Sequence, residues 1–165
     1  MANVLLTSRA ENLLAPLQVF RFHVRFSNAE NGESVAICSG AFSECSGLEA
    51  TMEPKVIRAG GVNYGAAQRV GTVSFATVIL KRGMTTTRDA FKWFQFVAGG
   101  AYACRLSAEI AMQNAAGEDV ITWALDRCLP VKFKAANLDA KGAEVGIEEL
   151  HLAHEGLRLV VEGAA

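Results

Sequence analysis

The 165-residue sequence has almost no net charge, only three histidines and no long hydrophobic run. Sixteen Lys and Arg against 17 Asp and Glu leave −1 at neutral pH, with a pI near 6.3. That balance supplies no field for holding DNA, RNA or an anionic bilayer, so no sequence-specific nucleic-acid binding is expected. No apolar stretch approaches the roughly 20 residues that span a bilayer, so no membrane-spanning segment is expected either. Val4-Leu5-Leu6 is too short for a signal-peptide core and is followed by Arg9 and Glu11, which predicts synthesis in the cytoplasm without Sec export. Cys38, Cys45, Cys104 and Cys128 show no C-x-x-C spacing and no adjacent histidine. They read as small buried hydrophobes rather than zinc ligands.

Apolar residues, by contrast, are abundant. They make up 51% of the chain, and the mean hydropathy is +0.21. A chain of this length builds one domain with a real core, and the surplus of apolar surface is expected to face other subunits.

The patterning is that of strands. VFRFHVRFS alternates, with Phe20, Phe22, Val24 and Phe26 on one face and Arg21, His23 and Arg25 on the other. NAENGE carries Asn-Gly turn chemistry and makes SVAICS its hairpin partner. Residues 48–58 alternate again, Leu48, Ala50, Met52 and Val56 being assigned to the core face; Pro54 cannot donate to a ladder and marks an edge or a bulge. GGVNYGAAQRVG, residues 60–71, reads as a long mobile connection. TVSFATVILKRG returns as a strand with a centre apolar on both faces, as expected where both sides are covered.

One segment changes period. Thr86 and Asp89 suggest a capping box, and Ala90, Phe91, Phe94, Val97 and Ala98 recur at helical spacing up to Gly99-Gly100; Phe91, Phe94 and Val97 are the expected core contacts. YACRLSAEIAMQ, with Tyr102, Cys104, Leu106, Ala108, Ile110 and Met112 inward, turns at NAAG into EDVITWALDR, an antiparallel hairpin. In the last segment Val145 and Ile147 have one parity and Leu150 and Leu152 the other, so a bulge is expected at Glu148-Glu149. The fold class is mainly β: an antiparallel sandwich or open barrel with one packed α-helix.

No constellation carries catalysis. His151 and His154, three apart, fall on opposite faces of a plain strand and lack a third ligand. Glu148 and Glu149 diverge, as adjacent strand residues do, and face no common cleft. Gly60, Gly61 and Gly65 do not lead from a strand into a helix N-terminus, so they make no phosphate cradle. Lys81-Arg82 reads as a solvated pair at a strand end. The chain is therefore expected not to be an enzyme and to need no cofactor and no metal.

SECSGLEA followed by IRAGG, then VILKRGMT with the helix containing FKWF, then AAGEDVITWAL and LPVKFKAANLDAKGAEVGIEELHLAHEGL, resembles the tail tube protein family of contractile phages and phage-like contractile injection systems. The likeness runs from about residue 16 to 160 in one order. Ser46, Gly47, Leu48, Arg58, Gly60, Gly61, Lys81, Arg82, Gly83, Glu144, His154, Glu155 and Gly156 match its pattern. Lys55-Val56-Ile57-Arg58 stands where relatives usually carry an acidic-aromatic-arginine step, and Val70-Gly71 stands where Pro-Gly is common.

The resemblance implies an Hcp-like barrel with one helix, an N-terminal arm over 1–17 and a single domain over 18–165. It implies six copies closing into a ring, rings stacking into a tube, a surrounding contractile sheath, baseplate or initiator and terminator proteins at the ends, and a cargo or tape-measure protein in the lumen. The particle is a phage tail or a phage tail-like device. A tube-initiating or baseplate-proximal paralogue is the alternative, and a small-ligand-binding barrel a distant third. The glycine-rich loop, with Arg58, Gly60, Gly61, Tyr64, Gly65 and Arg69, is expected to serve assembly. If the strands at 48–58 and 72–82 form the inner barrel, alternation assigns Glu49, Thr51, Glu53 and Lys55 to the lumen; the alternative is the polar face of the strand at 102–113, with Arg105, Ser107 and Glu109.

Overall fold

The computed structural model describes residues 21–35, 37, 42–58, 60, 61, 64–101 and 103–160. The expected N-terminal arm, Phe20, Cys38 and Tyr102 lie outside these. The elements in chain order are β1 (Phe22–Asn28), β2 (Ser34–Val35), β3 (Glu44–Ser46), β4 (Ala50–Met52), β5 (Lys55–Ile57), β6 (Ala67–Arg69), β7 (Val73–Phe75), β8 (Val78–Gly83), α1 (Asp89–Ala98), β9 (Leu106–Gln113), β10 (Asp119–Lys134), β11 (Ile147–Ala153) and β12 (Gly156–Val160). The sheet runs β2-β1-β9-β10-β11-β8-β3, with β12 also on β10, and every pairing is antiparallel.

The 16-residue β10 is longer than the EDVITWALDR strand read from sequence, and it bends. Its first half pairs with β9 and β12, its second half with β11. At the bend Arg127 takes a left-handed φ of 51°, the ladder with β9 slips between Leu125 and Cys128, and Glu155 N–H donates to Asp126 O at 2.9 Å. β11 and β12 follow β10 around this corner. One layer is therefore β2-β1-β9-β10-β12 and the other β10-β11-β8-β3. Between them lie Phe26, Leu106, Ala108, Ile110 and Leu125 from the first and Val78, Leu80, Leu150 and Leu152 from the second, with Cys128 beyond the corner.

The alternation expected of β1 and β9 is present: Phe22, Val24 and Phe26 pack inward, as do Leu106, Ala108 and Ile110. Of the cysteines, Cys128 is fully buried and Cys45 and Cys104 half-buried. Burial pushes the Cys128 thiol up to about 12 and the Cys45 thiol to about 11, so both stay protonated and unreactive.

Several expectations are corrected. α1 has no capping box: Arg88, with φ 53°, occupies the N-cap without a side-chain bond, and Asp89 is the first helical residue, its Oδ1 accepting from Ala90 N–H at 3.2 Å. Trp93 is the buried helix residue, with Ala90 and Val97; Phe91 is exposed and Phe94 half-buried. A stripe at Ala90, Trp93 and Val97 satisfies the same period one position round from the expected one. β8 is covered on one face only, with Ile79, Lys81 and Gly83 half-exposed on the other. β11 carries no bulge. Glu148, Leu150 and Leu152 share the buried face and Val145 and Ile147 are exposed; the slip lies in β10, between Pro130 and Lys132.

Trp93 meets the Phe26 ring edge-on at 5.6 Å between centroids, joining helix to sheet. Truncating it to alanine is expected to cost about 3–5 kcal/mol. Phe94→Ala should cost clearly less, and thermal melts of the two variants side by side check the order.

Candidate assembly surface

The segment between β3 and β8 leaves the body. β4 pairs only with β7 and β5 only with β6 among the described residues, forming a two-stranded ribbon. Neither face is covered. Met52, Val56, Ile57, Val70 and Val73 are each at least 42% exposed, so the expected core face of 48–58 holds for Leu48 alone, which packs on the core. The connection at 59–71 is not structureless either, since β6 lies within it. An isolated two-stranded hairpin is marginal in water, and exposed apolar side chains on both faces mark an interaction surface.

A bulge divides the ribbon. Met52 faces Val73, but Lys55 faces Arg69, so the return strand has one extra residue there. Pro54, which has no N–H to offer the ladder, sits opposite Gly71, and a Cβ on Gly71 would overlap the Glu53 carbonyl oxygen. The signal for Gly71 was present in the sequence as Pro54, but the two could be matched only once the pairing was known.

Beyond the bulge the tip is cationic. Lys55 lies opposite Arg69, Arg58 follows, and residues 55–69 contain no acid. Like charges facing across a ladder destabilise it unless another surface neutralises them. Tyr64 is fully exposed, and Gly61 and Gly65 take left-handed φ of 87° and 84°, whereas Gly60 has open space around it. These residues therefore gather at one tip of the ribbon.

At the root of the ribbon, Ser46 pairs with Ile79, and Gly47 at φ 85° leaves no room for a Cβ beside Thr77 O. Cys45 and Leu48, three apart, both pack on the core, so the chain rotates between them. Glu49 and Thr51, opposite in parity to Leu48, share a side, with Thr51 Oγ1 donating to Glu49 at 3.4 Å. Glu53 and Lys55 are also exposed.

Arg82 is not solvated. Its Nε donates to Glu148 at 2.5 Å, its Nη2 to Asp89 at 2.5 Å, and its guanidinium stands 5.8 Å from the Phe42 ring centroid. Lys81, its neighbour, faces the other way and pairs with Glu44 at 3.0 Å. Gly83 ends β8 opposite Ile147, and Glu144 lines an open groove with Asp139 and Glu149 beneath the loop joining β10 to β11.

His154 and Glu155 link β11 to β12 at the corner, and Gly156 opens β12. His154 Nδ1–H donates to Gly156 O at 2.9 Å and its ring lies 5.3 Å from that of Phe75, at the base of the ribbon. Glu155 pairs with Arg127 at 2.9 Å. Arg158 grips Asp126 with two bonds of 2.8 and 2.7 Å. His151 instead sits 3.4 Å from Glu149. Among the described residues no group of three His, Cys, Asp or Glu side chains could hold a metal, and no helix is long and apolar enough to cross a membrane.

Comparison with known proteins places these features in a family. The T4-like virus tail tube protein gp19 family matches residues 18–158. A chain in the six-fold symmetrised baseplate of the anti-feeding prophage is 27% identical, covering 88% of this chain and 96% of its own, with a TM-score of 0.76. A chain in the extended sheath–tube complex of the PVC extracellular contractile injection system is 19% identical over 90% of this chain and 93% of its own, TM-score 0.67. Hcp1 of E. coli EAEC 042 shares the fold at 13% identity, over 86% of this chain and 92% of its own, TM-score 0.50. No curated protein sequence matches significantly.

The Arg158 hydrogen bond holds the Asp126 carboxyl below the usual range, against partial desolvation. A depressed carboxylate contributes stability above its unfolded value, about 3.9, and loses it as pH falls further towards the folded value. Asp126→Asn should therefore flatten the fall in stability below about pH 4. Denaturant melts across pH 2 to 6 measure this, and an unchanged slope would remove Asp126 from the account.

Proposed function

The chain belongs to the T4-like virus tail tube protein gp19 family, whose members are structural components of phage tails and phage-like particles rather than enzymes, and on that premise we propose that it is the main inner-tube subunit of a contractile tail or injection system. Six copies close into a ring, rings stack, and a contractile sheath encloses the tube, with a baseplate or initiator below and a terminator above. A tape-measure protein, DNA or another cargo occupies the lumen.

The observation that carries this reading is the ribbon. A single subunit leaves both of its faces uncovered and concentrates uncompensated cations at its tip. A neighbouring ring supplies the missing cover. Head-to-tail contacts that close by rotation give rings, and the remaining axial faces give stacks. Glu49, Thr51, Glu53 and Lys55 keep their lumen assignment within this proposal. The support is that Glu49 and Thr51 lie on the side away from the core-packed Leu48. Polar side chains at these four positions limit the apolar area that a passing polymer would meet.

A second reading, a baseplate-proximal member of the same tube, is favoured by one comparison. Identity is 27% to the chain from the baseplate structure against 19% to the chain from the sheath–tube complex. The two readings differ in self-assembly. On the first reading the purified chain is expected to form long tubes alone, and on the second to stop at single rings.

Negative-stain electron microscopy of the purified protein tests this, with long tubes expected. Gly71→Val should leave the body folded with a near-unchanged melting temperature and abolish stacking, because the ribbon cannot close past Glu53. Tubes of wild-type length from that variant would sink the role given to the ribbon.

A further inference from the structure

At the end of the sandwich where β1 begins, the inner face of the first layer is left partly uncovered by the second. Phe22 stands opposite Met112, and Trp123 stands between Ile110 and Leu159 in the ladders of β9, β10 and β12. Between this face and the second layer lies a groove of about 230 Å³, walled chiefly by Phe22, Cys45, Leu48, Ile110, Met112 and Trp123. Glu44, at its rim, is turned to Lys81. Leu159 has the same parity as the core-packed Leu157, yet it is 51% exposed beside Trp123.

Native interiors hold few spaces larger than a water molecule, whose share of liquid volume is about 30 Å³. A groove several times that size with apolar walls is a seat for apolar side chains rather than for solvent. The chain carries such side chains next to it. Residues 1–20 lead into β1, whose first residue, Phe22, is itself a wall of the groove. They include Leu13, Leu14 and Leu17, whereas Cys38-Ser39-Gly40-Ala41, the stretch that leads towards Cys45 and Leu48, has only small side chains. Leu17 comes five residues before Phe22. Five residues span up to roughly 17 Å, against about 10 Å between packed layers, so the segment is long enough to turn back between them.

We propose that residues 13–17 of each chain plug this groove of their own subunit, with Leu13, Leu14 and Leu17 as the anchors. The tether at Phe22 decides for the same chain over a neighbour, because it makes capture intramolecular and raises the local concentration of the leucines at the groove. Docking covers Trp123 and Met112 and completes the core at the end where the second layer stops short. The segment before β1 is then part of the folded body. This inference concerns one copy and stands apart from the ring reading above.

Photocrosslinking of the full-length chain tests it. A diazirine-bearing aliphatic residue replaces Leu14 in one preparation and Leu17 in another, each mixed from unlabelled and heavy-isotope protein. Illumination should join at least one of the two positions to Cys45, Leu48, Met112 or Trp123, read by mass spectrometry, with both halves of the linked peptide carrying the same label. Mixed labels would show that a neighbouring copy's segment fills the groove, and no link, or links only outside the groove, would show that this segment does not. Either result overturns the proposal. In addition, Leu14→Asp combined with Leu17→Asp should lower the melting temperature by roughly 6 °C or more and shift tryptophan emission to the red as Trp123 meets water. Asn12→Asp should change neither. Wild-type melting and emission in the double variant overturn the proposal as well, and if that variant does not fold the crosslinks decide.

Discussion

The buried Arg82 guanidinium is the point on which the geometry turns. Taking an arginine out of water costs several kcal/mol unless every partner is in place, and removing one partner of such a pair typically costs about 3–5 kcal/mol. Here Glu148 on β11 and Asp89 at the start of α1 both close on it, and Phe42 stands over it. One side chain thereby fixes the β8–β11 register, the point where the helix begins and the seat of the segment before β3. Because β8 also pairs with β3, and the ribbon lies between the two in the chain, the same contact fixes where the ribbon leaves the body. Lys81 and Glu149, their neighbours along β8 and β11, point the opposite way and pair with Glu44 and Lys134 on the outer face.

The second constraint is the corner. β10 passes from one layer to the other at Asp126-Arg127, and His154, Glu155 and Gly156 carry the neighbouring strand around with it. The positions matched to the tail tube pattern therefore fall into two structural groups. His154, Glu155, Gly156, Arg82 and Gly47 shape the subunit, whereas Arg58, Gly60, Gly61 and Lys81 stand on its surface. A short motif in this family does not by itself mark a contact between subunits.

Strands such as β1 and β9 were legible because alternation survives wherever one face is buried, and the single helix because its apolar residues change period. The ribbon was misread for the complementary reason. Its alternating residues, Met52 and Val56 among them, meet no core within the chain, so alternation there does not report burial within one copy. Arg82 and Glu148 were misread because a charged residue in a strand is usually solvated, and a buried pair 66 residues apart is visible only after folding. The expected stripe holds Phe94 where the buried one holds its neighbour Trp93, since both stripes satisfy the same helical period.

The central claim is that the ribbon is held by neighbours rather than by its own subunit. Amide hydrogen exchange read peptide by peptide over residues 50–75, in the dispersed subunit and in the assembled tube, tests it most directly. Exchange should be fast in the subunit, as expected for a lone two-stranded ribbon, and strongly slowed in the tube, while β9 and β10 stay protected in both. Equal protection of the ribbon in the two states would contradict the account.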